Sequence, residues 1–228
     1  ENLRKIPEGK NGLDPQELRR AITQDKEQGA IPFMVLATAG SVDLGRFDNL
    51  PAIAHVARAE NLWLHVDGAF GAWTRLAEEP WKHLSEGIEL ADSLACDFHK
   101  WMYVPYDCGM VLVRDEAEHR AAFAGRPPYL EGKVTGIAGG DPWFCDYGID
   151  LSRGNRALKV WSALVAYGPE NLGAAISENC RLAAYMGERV SASKNMALAA
   201  PVVSNLCVFT ADATLANGDQ SELNNRLA

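Results

Sequence analysis

Leu62-Trp63-Leu64-His65-Val66-Asp67-Gly68-Ala69 decides the fold. Leu62 to Val66 has the character of a strand, and it ends on a carboxylate followed by glycine, which marks a turn at a sheet edge. Immediately upstream, Asp48 to Glu60 reads as a helix with Leu50, Ile53, Ala54 and Ala57 on its inner face. Before it lies Ile31 to Ala37 (IPFMVLA), a short apolar run that reads as a buried strand. Strand, helix and strand within ~30 residues make a βαβ unit, whose two strands run parallel.

The flanks extend the same alternation. Asp14-Pro15-Gln16-Glu17 opens a helix: Asp14 can cap, Pro15 suits the first helical position, and Glu17 completes a capping box. Leu18, Ala21 and Ile22 form its apolar stripe and Gly29 stops it. Ser93 to Cys96 reads as a third strand. Met110 to Val113 follows too closely for a helical crossover, so this fourth strand should run antiparallel. Gly125 to Gly140 is rich in Gly and Pro and reads as a long loop. Ser152 is expected to cap a long helix bearing Ala157, Leu158, Trp161, Leu164 and Val165 on one face. Pro169 restarts a helix with Leu172, Ala175, Ile176 and Met186, and Val202 to Thr210 is a β-rich run. The expected fold is α/β: a mainly parallel sheet flanked by helices. A large domain over residues 1–167 is followed by the start of a smaller α+β domain over 168–228.

Composition narrows the function classes. The 228 residues are 47% hydrophobic and 23% charged, the balance of a globular protein. Twenty-two basic against 30 acidic residues give a net charge of −8, a poor match for nucleic acid. No apolar stretch approaches the ~20 residues of a membrane span, and the start at Glu1 does not resemble a signal peptide. Cys96, Cys108, Cys145, Cys180 and Cys207 form no C-x-x-C pair, so neither a disulfide framework nor a zinc site is expected, and the setting should be reducing and cytoplasmic. His55, His65, His83, His99 and His119 show no H-E-x-x-H pattern, so no metal is expected.

In an open parallel sheet, ligands bind beyond the carboxyl ends of the strands. Three such ends carry reactive groups: Thr38, Asp67 and the run Asp97-Phe98-His99-Lys100. Lys100 lies among Phe98, Trp101, Met102 and Tyr103. Such surroundings favour a nucleophilic amine, or they let a surface lysine snorkel past aromatic rings. Asp67 either caps its own turn or pairs with a heteroaromatic nitrogen. His65, on the same strand face, either orients Asp67 or packs as a satisfied core histidine. His99 could stack, relay protons or only pack. Arg153, Arg156 and Lys159 read as a solvated basic helix face, Trp143 and Trp161 as core or interface aromatics, and Cys96 as an inert strand thiol.

Taken together, Leu64-His65-Val66-Asp67-Gly68-Ala69 and Asp97-Phe98-His99-Lys100-Trp101 resemble the group II pyridoxal-phosphate-dependent decarboxylases, a family that includes the aromatic-L-amino-acid, histidine and glutamate decarboxylases. Phe33 to Gly40, Phe47-Asp48-Asn49-Leu50, Val104 to Gly109 and Arg156 to Trp161 fit in the same order, so the resemblance covers nearly the whole chain. It implies the fold-type I architecture of pyridoxal-phosphate-dependent transferases, pyridoxal 5'-phosphate as cofactor, an amino acid substrate and a homodimer. The implied reaction is decarboxylation of an L-amino acid, aromatic ones included, to the amine and carbon dioxide.

The resemblance also implies roles. Lys100 corresponds to the lysine that holds the cofactor as a Schiff base, and Asp67 to the partner of its ring nitrogen. Ala69 would let the ring lie close to the backbone. Thr38 would bond near Asp67 or the ring oxygen. His99 would lie near the phosphate or substrate, and Asp97 stands where some relatives have Asn near the phosphate. Lys100, His99 and Asp67 are the implied catalytic residues. Gly125 to Gly148 corresponds to a loop whose tyrosine delivers a proton to the product. That position falls near Phe144, with Tyr129 and Tyr147 close by, and relatives with Phe there are associated with oxidative deamination to an aldehyde. The family also has an N-terminal part and a C-terminal end beyond these 228 residues, so this chain alone is expected to bind cofactor weakly. Other pyridoxal-phosphate reactions, and a non-catalytic relative, are the alternatives.

Overall fold

Apolar periodicity places the elements in the expected order. The computed structural model describes residues 2–9, 12–123, 125, 140 and 143–227. A short antiparallel ladder, β1 (Glu8–Gly9) with β2 (Gly12–Leu13), precedes α1 (Pro15–Glu27). Asp14 caps α1, its carboxylate accepting from the Gln16 N–H at 2.7 Å. Glu17 pairs with Arg20 at 2.8 Å instead of closing a capping box.

β3 (Met34–Thr38), α2 (Leu50–Ala59) and β4 (Trp63–Asp67) form the βαβ unit, and β3 and β4 run parallel with Thr38 opposite Asp67. Three 3-10 stretches, Gly71–Leu76, Trp81–Ser85 and Ile88–Leu90, make the second crossover. It leads to β5 (Ser93–Asp97), parallel to β4 with Asp67 opposite Ala95. β6 (Gly109–Val113) returns antiparallel to β5, as the short connection requires. The strand order is β3-β4-β5-β6.

Leu50, Ile53, Ala54 and Ala57 of α2 form a core with Val35, Ala37, Leu64 and Val66 of the sheet. Each large aliphatic side chain buried there is worth about 1.5–3 kcal/mol over leaving it in water. The run from Ile31 to Ala37 is not a fully buried strand. Ile31 and Phe33 precede β3 and are exposed, as are Met34 and Leu36 within it. Among the described residues β3 pairs only with β4, and only its Val35–Ala37 face meets α2, so in this chain the strand is half-buried.

α3 (Glu116–Phe123) follows β6. α4 (Ala157–Ser191) bends at Gly168, whose φ of 74° suits glycine, and Pro169 begins its second half. The helix is not capped by Ser152. Arg156 stands at the cap position, drawn to Asp107 at 2.7 Å, while Lys159 donates to the Pro105 carbonyl at 2.9 Å. These bonds to the 105–107 loop fix where the helix begins. The basic face is solvent-exposed as expected, and two of its members, Arg156 and Lys159, are also tied to that loop. Past the bend, Leu172 packs with Phe98 and Met102, and Ile176 and Cys180 pack with Trp101. Before the bend, Leu158, Trp161 and Val165 are exposed, so Trp161 is not a core residue.

β7 (Ala197–Leu198) pairs with β8 (Phe209–Thr210), and α5 (Asn217–Leu227) follows. Val202 to Val208 is not a strand. Its buried Ser204 hydroxyl donates to the Gly45 carbonyl at 3.2 Å, pulling the segment onto the β3–α2 loop. Most of the expected loop from Gly125 to Gly140, Tyr129 included, lies outside the described residues. Among the described residues no helix is long and apolar enough to cross a membrane.

Candidate active site

Parallel register sets Thr38, Asp67 and Ala95 side by side across β3, β4 and β5. Thr38 is fixed by Asp48. One Asp48 oxygen accepts the Leu13 N–H and the other the Thr38 N–H, both at 2.7 Å, and the Asp48 N–H donates back to the Thr38 carbonyl at 3.0 Å. In the sequence Asp48 marked only a helix start within a family-like tetrapeptide, so its role as a clamp went unseen.

Asp67 accepts the Ala69 N–H at 3.0 Å, which closes an Asx turn, and its side chain stays exposed. The turn behind it is packed to the limit: a Cβ on Gly71 would sit 2.1 Å from the Ala39 carbonyl oxygen. His65 does not orient Asp67 through a hydrogen bond. Its Nδ1 lies 2.7 Å from the Ser93 hydroxyl, which also accepts the Trp63 indole N–H at 2.7 Å. Burial pushes the His65 pKa down, and the Asp67 charge partly opposes that shift.

Lys100 sits just beyond β5 in a tight turn, with the Tyr103 N–H donating to the Lys100 carbonyl at 3.2 Å. Tyr103 has φ 55°, in the left-handed region that residues with a Cβ seldom occupy. Two bonds to Asn179 of α4 hold this turn: its Oδ1 accepts the Trp101 indole N–H at 3.0 Å and the Tyr103 hydroxyl at 3.2 Å. The Lys100 Nζ lies 2.9 Å from Asp97 Oδ2, and His99 Nε2 lies 3.6 Å from the same oxygen. His99 both bonds and stacks. Its Nδ1 accepts the Cys108 N–H at 2.8 Å, and the Tyr106 ring lies 4.2 Å from its centroid. The adjacent Cys96 is a poor nucleophile, because burial first and Asp97 second raise its thiol pKa to about 11.

Thr38, Asp67, Ala69 and Lys100 line one cavity of about 550 Å³, within the range of small-molecule sites. Asp97 and His99 stand beside Lys100 but are not among the lining residues. Loop residues complete the lining: Ser41 and Val42 after β3, and Asn205 and Leu206 from the segment tied down by Ser204. Sequence reasoning missed Asn205 and Leu206. No local pattern marks them, since the Ser204–Gly45 bond joins positions 159 residues apart.

Phe144 is exposed and opens a 3-10 turn, Phe144–Tyr147. That turn rests on α3, with the Tyr147 hydroxyl donating to Glu116 at 2.6 Å. The Arg153 guanidinium lies 5.1 Å from the Phe144 ring centroid.

Comparison with known proteins agrees with this geometry. Residues 1–212 match the model of the pyridoxal-dependent decarboxylase conserved domain. An aromatic-L-amino-acid decarboxylase of Drosophila simulans is 36% identical over 207 residues, 91% of this chain and 40% of that protein. The crystal structure of Oryza sativa TDC with PLP and tryptamine superposes with a TM-score of 0.88 at 28% identity, over 98% of this chain and 47% of that one. The structure of Rhodiola rosea 4-hydroxyphenylacetaldehyde synthase gives a TM-score of 0.80 at 31% identity, over 94% of this chain and 43% of that one. The chain thus spans about 40% of the length of such curated relatives.

Proposed function

Because the chain belongs to the pyridoxal-dependent decarboxylase family, we propose that the full-length protein uses pyridoxal phosphate to remove the α-carboxylate of an L-amino acid, releasing an amine and carbon dioxide. The observation that carries this reading is a single cavity into which separate strand ends bring an amine, a carboxylate and a hydroxyl, those of Lys100, Asp67 and Thr38. That donor set fits the cofactor. The Lys100 amine matches an aldehyde, Asp67 matches a ring nitrogen, Thr38 matches a ring oxygen, and the small Ala69 leaves room for a ring. When bound, pyridoxal phosphate supplies the electron sink for the pair left by the breaking bond.

The chain's own residues do the rest. Asp67 holds a proton at the ring nitrogen, and the Asx turn to Ala69 fixes the direction of its carboxylate. Thr38, clamped by Asp48, presents its hydroxyl from the neighbouring strand. Lys100 Nζ would hold the cofactor's aldehyde and would move protons at its own nitrogen. His99, held by Cys108 and Tyr106, presents a fixed imidazole beside Lys100. Val42, Phe70 and Leu206 give the cavity apolar surface and Asn205 adds one amide, a lining suited to a flat, largely apolar side chain.

A second reading is aldehyde formation, by decarboxylation with oxidative deamination. The similarity to the Rhodiola rosea synthase and the phenylalanine at position 144 support it. We also propose a homodimer, supported by the exposed Leu158, Trp161 and Val165 face of α4, and a cytoplasmic location, supported by the acidic charge and the free cysteines. Gly168 is the proposed boundary between the two domains, residues 1–167 and 168–228.

The test is to load the full-length protein with pyridoxal phosphate, record visible absorbance, trap with borohydride and map the modified lysine. Label on Lys100 is expected. Lys100→Ala should lose the absorbance and at least about a thousandfold in kcat. Label on another lysine overturns the reading. Assaying amine, aldehyde, peroxide and carbon dioxide from the same reaction separates the two outcomes.

A further inference from the structure

Asp97 presents a problem if it faces a phosphate, because a carboxylate beside a phosphate repels it. The structure gives this carboxylate another occupation. Its backbone is pinned on both sides: the Asp97 N–H donates to the Ala69 carbonyl at 2.9 Å, and the Asp97 carbonyl accepts the Trp73 indole N–H at 2.9 Å. Space is kept for the side chain as well, since a Cβ on the facing Gly109 would come within 3.0 Å of Asp97 Oδ1. Its other oxygen, Oδ2, lies 2.9 Å from Lys100 Nζ. The same oxygen lies 3.6 Å from His99 Nε2. The Cys108 N–H donates to His99 Nδ1, so in the neutral ring the hydrogen sits on Nε2, the nitrogen nearer Asp97. A carboxylate held rigidly between one cation and one waiting N–H donor is built to exchange partners.

We propose that Asp97 is a latch on Lys100. Its carboxylate holds the lysine ammonium in the cofactor-free protein and passes to the His99 Nε2–H when the amine condenses. This rests on Lys100 being the cofactor-anchoring lysine. In the condensation, the ammonium gives one proton to solvent and Nζ forms a bond to the aldehyde carbon. The aldehyde oxygen then leaves as water with the two remaining nitrogen hydrogens. The ion pair must break before Nζ can attack, so Asp97 slows loading while keeping the amine aimed. Asp97 is therefore a positioning residue that acts through Lys100 and makes no stabilising contact with the phosphate.

The test uses the cofactor-free full-length protein and its Asp97→Asn variant, which keeps the side-chain shape and removes the charge. Condensation is followed by the rise of visible absorbance with two probes, pyridoxal phosphate and pyridoxal, the second lacking the phosphate. The latch predicts that Asp97→Asn condenses about two- to fivefold faster with both, the range set by a partly exposed ion pair. Acceleration with pyridoxal phosphate alone would show simple repulsion of the phosphate and overturn the proposal. No acceleration with either would overturn it too. Competitive acetylation of the cofactor-free proteins supplies an independent readout. Lys100 should label faster in Asp97→Asn relative to the other lysines, and equal labelling overturns the latch. Borohydride trapping keeps the two ideas apart. Label on a different lysine defeats the anchor role of Lys100, whereas the acetylation ratio reports on the Asp97–Lys100 pair whichever lysine binds cofactor.

Discussion

Thr38 and Asp67 reach the cavity from adjacent parallel strands, directly opposite each other. Asn205 and Leu206 reach it from a segment tied to the sheet by a hydrogen bond that joins residues 159 positions apart. The first pair is held by ladder register, by the two backbone N–H groups that Asp48 accepts, and by an Asx turn. The second pair is held by the bond from the buried Ser204 hydroxyl to the Gly45 carbonyl at 3.2 Å. Thr38 and Asp67 thus sit at strand ends fixed by the sheet ladder, whereas Asn205 and Leu206 sit on a loop anchored through Ser204. Binding sites commonly divide in this way, with a stiff scaffold carrying variable loops.

Substitutions can break this contrast or sharpen it. The largest effect is expected on the strand-end side. Asp67→Asn removes the carboxylate proposed to hold the ring proton, and kcat of the full-length protein should fall about 10²- to 10³-fold while borohydride still labels Lys100. An unchanged kcat would deny the strand ends their chemical role. Next comes Asp48→Ala, which leaves the Leu13 and Thr38 N–H groups without their acceptor. It should cost about 2 kcal/mol in urea unfolding. A smaller loss would mean that the register alone holds Thr38.

On the loop side the expected signature differs in kind. Leu206→Ala should raise KM about fivefold and leave kcat within about twofold if, as proposed, Leu206 meets the substrate side chain and not the reacting atoms. A fall in kcat alone would erase the distinction between the two linings. The smallest effect belongs to His65, whose pKa burial lowers on folding from the ordinary histidine value of 6.5. Below that value the unfolded chain takes up a proton that the folded chain resists. The unfolded state then binds more protons, and stability falls as pH drops from 6.5 toward the lowered folded value. His65→Asn should flatten the change in urea midpoint between about pH 7.5 and about pH 5.5.

The same contrast explains what could be read from the sequence. The βαβ unit, the antiparallel fourth strand, the Asp14 cap and the gathering of Thr38, Asp67 and Lys100 all follow from local periodicity and strand ends. Errors arose where a distant partner decides the outcome. Ser152 was expected to cap α4, but Arg156 and Lys159 are held by the 105–107 loop about 50 residues earlier in the chain. Val202 to Thr210 has strand composition, yet Ser204 is bonded to Gly45 and only Phe209–Thr210 pairs. Ile31 and Phe33 are exposed in this chain, where β3 pairs only with β4 and just its Val35–Ala37 face meets α2. His99 and Asp97 were placed near the lysine by their sequence neighbours, but their partners, Cys108, Tyr106 and Lys100 Nζ, appear only once the turn is folded.

The long reach of the Ser204–Gly45 bond also orders events during synthesis. Lys100 leaves the ribosome roughly a hundred residues ahead of Leu206, and at ~5–20 residues per second that gap lasts about 5–20 s. Through that interval the nascent chain carries Thr38, Asp67 and Lys100 while Asn205 and Leu206, which line the same cavity, have yet to be made. The lining is thus supplied in two instalments, the strand ends first and the loop residues last.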